Sequence, residues 1–416
     1  MRQSIAVLIG LSVATRALAV DVQGVLPASM DQPRIYLAVC RDANGTPLAA
    51  KGEAGGDALA ALLGEKPDKN HPPAPNFTVE AFLDTGASGT MLAKSTADAL
   101  GIKAAVVNGR PVKFYDVGVG GKEEFGVTEP LRLRAAEYSG KTDGQDLGQY
   151  SPAGAPAALK IRAAGGLLES LTGEIDIAGT PLMQGRVMLV DCRPIAQYDK
   201  LRTTLVNPGD KSIPKADARV PLTMVDFARF TETEPKSSVN VDNAPNPMIG
   251  PHPFQRDAAR PIVLSHHGKS TNATMLLDTG SAATMISTAK AKELGLTFDE
   301  KGRITNVPAK EQFSLPIGGI GGSADVPGCF IDALVLPTTG QAVRYVKVPV
   351  LVKDVTVVDE ATKQSYTLDG VFGMNMLVAS ASVSGGMTGG VDDIHDGAFG
   401  FFYVDFPAKT LGLKLK

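Results

Sequence analysis

The chain of 416 residues has no tryptophan, an aromatic share of 6%, five histidines and three cysteines. Three cysteines cannot build a disulfide framework, and at most one bridge can form. Cys40 and Cys192 each end a strand-like run, "RIYLAVC" and "RVMLVDC", and are the expected pair. No two histidines stand at a spacing that reads as a zinc site. "DDIHD", Asp392 to Asp396, lacks the glycine and the terminal glutamate of a calcium loop and reads as a solvated acidic loop. No metal or other cofactor is expected. A strong charge of either sign is also missing. With 41 basic and 44 acidic residues the net charge is −3, which offers no general attraction to nucleic acid or to an anionic membrane.

What is present begins at the N-terminus. "MRQSIAVLIGLSVATRALAV" has a basic start, an apolar run from Ile5 to Ala14 and a small-x-small site at Ala17-Leu18-Ala19. It reads as a secretory signal peptide, residues 1–19, and the expected location is periplasmic or secreted. No later run reaches the ~18 apolar residues of a membrane span, so no stable membrane insertion is expected after cleavage. A hydrophobic content of 44% over this length supports a large core in two or three domains.

The strongest feature is a repeat. "LDTGASGTMLAKSTADALGI" from Leu83 and "LDTGSAATMISTAKAKELGL" from Leu277 align at an offset of 194 residues. Each reads as strand, tight loop and a short helix ended by glycine. Glycine-rich hairpin signals follow, "YDVGVGG" at Tyr115 to Gly121 and "IGGIGG" at Ile317 to Gly322. An apolar-apolar-Gly element then ends at Gly179 in one copy and Gly373 in the other, in each case 95 residues after the aspartate. Valine, threonine and alternating apolar residues between turn signals predict a mainly β protein. The halves are placed at 20–205, with an insertion at 41–75 and a small helix near Ala58 to Leu63, and at 206–416, with an irregular surface linker at 237–254. Gly385 to Gly390 reads as a flexible loop.

An aspartate at a loop tip behind a buried strand, followed by a glycine that admits close backbone approach, suits a carboxylate held at an interface. Two such loops facing each other would bring Asp84 and Asp278 together. Two touching carboxylates share one proton, and such a pair activates water for attack on a carbonyl without a covalent intermediate. The aspartic-protease dyad is the standing example of this effect. Thr85 and Thr279 are expected to bond across to the opposing loop, and Gly86 and Gly280 to permit the approach. The Ser281 hydroxyl is expected to donate to Asp278, which would leave Asp278 ionised and Asp84 protonated. Ala87, at the matching place, cannot donate.

These residues resemble the pepsin and retropepsin clan of aspartic proteases. The resemblance rests on Asp84-Thr85-Gly86, Asp278-Thr279-Gly280, the elements ending at Gly179 and Gly373, and "IGGIGG", which looks like a retroviral-type flap. It covers roughly residues 77 to 200 and 260 to 416. It implies two β lobes related by a pseudo-twofold axis, a cleft between them, and endopeptidase action on peptide or protein by one aspartate from each lobe. Two lobes in one chain look pepsin-like, whereas glycine-rich hairpins in both halves look retropepsin-like, as in a fused dimer that works as a monomer. The flap assignment covers Gly118, Gly120 and Gly121 in one hairpin and Gly318, Gly319, Gly321 and Gly322 in the other, with either one or both reaching substrate. Tyr115 stands where pepsins place a flap tyrosine, although Asp116 replaces the glycine that usually follows. The alternative is a catalytically inactive, secreted peptide-binding protein of the same fold.

Overall fold

Runs of β-branched and aromatic residues, short and closed by Gly, Pro, Asn or Asp, give strands rather than helices, and the protein is mainly β with several sheets. The computed structural model describes residues 19–41, 47–48, 78–118, 120–138, 150–162, 175–197, 200–236, 239–358, 364–383 and 391–416. The signal-peptide segment up to residue 18, the expected helix near Ala58 to Leu63 and the Gly385 to Gly390 loop lie outside them.

A ten-stranded sheet runs in the order Ser151–Ala157, Leu131–Ala136, Arg34–Cys40, Thr78–Leu83, Asp176–Ala178, Met91–Ala93, Lys160–Arg162, Gly121–Val127, Lys113–Gly118 and Glu232–Glu234. Arg34–Cys40 is buried at every position, as an inner strand covered on both faces must be. An eleven-stranded sheet is built mainly from the second half and includes Met275–Leu277, Gly370–Phe372, Met285–Ile286, Val343–Val352 and Gly322–Val335 as successive neighbours.

The same pairing recurs in both sheets. Thr78–Leu83 runs parallel to Asp176–Ala178, which lies antiparallel to Met91–Ala93, which runs parallel to Lys160–Arg162. Likewise Met275–Leu277 is parallel to Gly370–Phe372, antiparallel to Met285–Ile286, and that strand is parallel to Val343–Val352. In both sheets the fourth strand then pairs antiparallel with the second arm of a glycine-tipped hairpin. Each sheet also carries its predicted short helix, Lys94–Ala99 and Thr288–Glu293, followed by glycine at positive φ, Gly101 at 61° and Gly295 at 89°.

A third sheet of six strands joins the halves. Within it Val187–Asp191 runs against Phe399–Asp405, the strands that close the two repeats, with Val187 opposite Asp405 and Asp191 opposite Phe401. Val187, Met188, Val190, Phe402 and Val404 are buried there, so the halves share a core.

Three expectations need correction. Cys40 and Cys192 are not bridged. Both are buried thiols, as is Cys329, with Cys40 in the ten-stranded sheet and Cys192 just after a strand of the six-stranded sheet. The linker at 237–254 is not a surface connection, because it contains the buried strand Asn246–Ile249 and contributes buried Asp242 and Ala244. The halves also interchange segments. Val20–Val22 runs parallel to Val343–Val352 in the eleven-stranded sheet, and Glu232–Glu234 pairs with Lys113–Gly118 in the ten-stranded one.

Candidate active site

Each aspartate follows a strand whose neighbours fix its backbone. Asp84 N donates to Ala178 O at 3.0 Å, and Asp278 N to Phe372 O at 3.1 Å. The chain then turns back under its own carboxylate. Gly86 N and Ala87 N donate to Asp84 Oδ1 at 2.7 and 3.2 Å, and Gly280 N and Ser281 N donate to Asp278 Oδ1 at 2.9 and 3.0 Å.

The two loops are locked by a reciprocal threonine lattice. Thr85 Oγ1 donates to Leu277 O at 2.6 Å and accepts from Thr279 N at 3.1 Å. Thr279 Oγ1 donates to Leu83 O at 2.6 Å and accepts from Thr85 N at 3.1 Å. Both threonines are buried, so each hydroxyl satisfies two backbone groups that water cannot reach. The lattice sets each glycine against the other loop's carboxyl. A Cβ added to Gly86 would lie 2.5 Å from Asp278 Cγ, and one on Gly280 would collide with the Asp84 carboxyl.

Asp84 and Asp278 are hydrogen-bonded to each other, and both keep some exposed surface while surrounded by protein. Loss of solvation raises both pKa values, and Asp278 rises well above the usual carboxylate range because the neighbouring Asp84 charge adds to the effect. The pair therefore shares one proton, and its titration belongs to the two carboxyls together. The Ser281 hydroxyl donates to Ala283 O at 2.8 Å, leaving only its backbone N–H for Asp278.

The hairpins meet tip to tip. Gly118 pairs with Gly121 in one, and Gly318 with Ser323 and Gly319 with Gly322 in the other. Gly120 N donates to Ile320 O at 2.8 Å, and Gly321 N to Glu123 Oε2 at 2.7 Å. Arg162 ties the junction, with Nε on Glu123 Oε1 at 2.8 Å and Nη2 on Gly319 O at 2.8 Å. Tyr115 is placed apart from this junction. Its hydroxyl lies 3.0 Å from Glu124 Oε2 and 3.2 Å from Glu234 Oε2, and Lys122 Nζ sits 4.9 Å from its ring centroid.

Two supporting residues have no counterpart in the sequence reading. Asn246 Nδ2 donates to both Thr85 O and Gly86 O, at 3.0 and 2.9 Å. Gln32 Nε2 donates to Gly280 O. Each comes from the segment leading into one half and holds the aspartate loop of the other. Gln32 is itself fixed by neighbours: Asp31 Oδ1 accepts from buried Arg34 at 2.6 Å, and Asp31 Oδ2 accepts from Leu201 N at 2.8 Å. An isolated amide in an Asn- and Pro-rich stretch carries no spacing signal, which is why the pattern of residues did not reveal it.

Behind the first loop, Asp242 accepts from Thr90 N at 3.1 and 2.9 Å through its two oxygens, and burial pushes its pKa up to about 6. Buried Lys160 lies nearby, its ammonium on Asp116 Oδ2 at 3.0 Å. No protein-family model matches the chain, and no curated protein matches it in sequence.

Proposed function

We propose that the protein is an aspartic endopeptidase in which Asp84 and Asp278 activate a water molecule to hydrolyse a peptide bond. The observation that carries this reading is the reciprocal Thr85–Thr279 lattice, which holds two carboxyls together around one proton. A structural role alone does not account for it, since burying two adjoining carboxyls raises both pKa values at a cost to stability.

In the proposed cycle the ionised member of the Asp84/Asp278 pair takes a proton from water as its oxygen attacks the scissile carbonyl carbon. The protonated member gives its proton to the carbonyl oxygen, producing a neutral tetrahedral diol. Collapse breaks the C–N bond: the first carboxyl returns its proton to the leaving nitrogen, and the second recovers one from a diol hydroxyl. The products are a carboxylic acid and an amine, and the dyad is restored with no metal and no acyl-enzyme.

In this reading the ten- and eleven-stranded sheets are the two lobes of an acid-protease-like fold, the dyad lies in the cleft between them, and the paired hairpins form a double flap over substrate. One chain supplies both aspartates, so the enzyme acts as a monomer. The N-terminal sequence, read as a signal peptide, supports action outside the cytoplasm, in a periplasm or secreted. Among the described residues, no helix is long and apolar enough to cross a membrane.

The deciding experiment is hydrolysis of an unfolded protein by the purified chain, with Asp84→Asn and Asp278→Asn alongside. The reading requires turnover by the wild type and none by either variant. A wild type that binds peptide without cleaving it is instead the inactive binding protein.

A further inference from the structure

The eleven-stranded sheet carries a second cluster of ligating side chains, independent of the aspartate pair. The strands Ile262–His266 and Lys269–Ala273 are joined by the two-residue turn His267-Gly268, in which both residues have positive φ, 46° and 75°. That turn, of the kind that suits a tight hairpin, swings the His267 ring back beside His266, with ring centroids 4.0 Å apart. Asp332, on the adjacent strand Gly322–Val335, reaches the same point, and its Oδ2 accepts from His267 N at 2.7 Å.

The geometry points to a divalent transition-metal site, of the kind that takes Zn²⁺, formed by His266, His267 and Asp332. One ligand atom from each lies within 4.8 Å of the others. His266 is 3% exposed, and neither ring nitrogen has a hydrogen-bond partner, which is costly for a buried imidazole. Its Nδ1 stands 3.4 Å from Asp332 Oδ1. That separation matches the edge between two ligands of one tetrahedral zinc, about 3.3–3.4 Å when each bond is ~2.0–2.1 Å.

Glu311 adds negative charge close by. Two imidazoles and a carboxylate favour zinc over magnesium, which prefers oxygen ligands and retains its waters. A bound ion would pin the hairpin tip to the neighbouring strand and leave a fourth position for water.

The test is calorimetric titration of chelator-treated full-length protein with Zn²⁺, and separately with Mg²⁺. Two variants of exposed residues keep the fold. His267→Asn creates the Asn-Gly pair preferred in this turn, and Asp332→Asn retains an oxygen for His267 N. The expected result is saturable 1:1 binding of Zn²⁺ to the wild type, at least tenfold weaker in each variant and undetectable for Mg²⁺, with a zinc-dependent rise in Tm that His267→Asn abolishes. No saturable Zn²⁺ binding, equal affinity in the variants, or equal response to Mg²⁺ overturns the assignment.

Discussion

Gly86 faces Asp278 so closely that a single methyl group on its Cα would stand 2.5 Å from the carboxyl carbon. The relation is mutual, since Gly280 meets Asp84 in the same way. Hydrogen is the only substituent these two positions accept while the carboxyls stay together. Gly86→Ala must therefore push the loops apart, and peptide hydrolysis should fall at least a hundredfold while circular dichroism stays that of a β protein. Retention of wild-type kcat would show that the dyad needs no such approach.

Asp278→Asn removes the like-charge repulsion and the desolvated acid in one step. Activity should vanish while stability at neutral pH rises. The sign follows from linkage. A carboxyl with a raised native pKa binds protons in the folded state that the unfolded chain has released, so its penalty is absent at low pH and grows as pH rises through the native value. Urea denaturation of wild type and variant near pH 7 measures it, and a less stable variant would contradict the argument.

Thr85 tests the lattice. Thr85→Val is close in shape but leaves Thr279 N and Leu277 O without their partner in a buried site, at a cost of about 2–5 kcal/mol. Thr85→Ser keeps the hydroxyl and should retain most of the stability and turnover. If denaturation midpoints place Val and Ser together, the hydroxyl is not what holds the loops.

Asn246 and Gln32 act through the loops rather than on substrate. Asn246→Ala frees the carbonyls of Thr85 and Gly86, and kcat should drop tenfold or more with KM nearly unchanged. Gln32→Ala should do the same from the other side. A change confined to KM would instead place these residues in substrate binding.

Two pH effects separate the dyad from its surroundings. Because both dyad pKa values are raised, the optimum for hydrolysis should be mildly acidic, and a profile peaking below ~4, the ordinary carboxylate value, contradicts this. The hydroxyl of Ser281 goes to a carbonyl, so Ala87→Ser should leave the profile where it is. Asp242 contributes separately to stability. Its pKa is pushed from 3.8 to about 6, so the fold loses stability as pH rises from about 4 to 6. Asp242→Asn should remove roughly 2–3 kcal/mol of that loss. Denaturation curves across this range, with a slope unchanged by the substitution, would rule it out.

Much of this was legible because it is local and repeated. The Asp-Thr-Gly triplets, the short helices ended by Gly101 and Gly295 and the glycine-rich hairpins are written in adjacent residues, and the repeat shows each of them twice. The Ser281 hydroxyl was misjudged because a short side chain beside a carboxylate has a second acceptor, Ala283 O, that only the turn geometry reveals. The Cys40–Cys192 pairing failed because similar strand endings lie in different sheets.

By itself the sequence determined the β character and pointed to Asp84 and Asp278 through the repeated Asp-Thr-Gly segments, since strand period, turn residues and repeats depend on neighbours along the chain. The tertiary structure decided what depends on neighbours in space. It set Gln32 and Asn246 beneath opposite loops, joined the hairpin tips through Arg162 and Glu123, buried the two carboxyls against each other, and brought Asp332 to two histidines 65 and 66 residues away. Those contacts are single hydrogen bonds and charges between distant segments, and their energies exist only once the backbone has brought the groups within about 3 Å of each other.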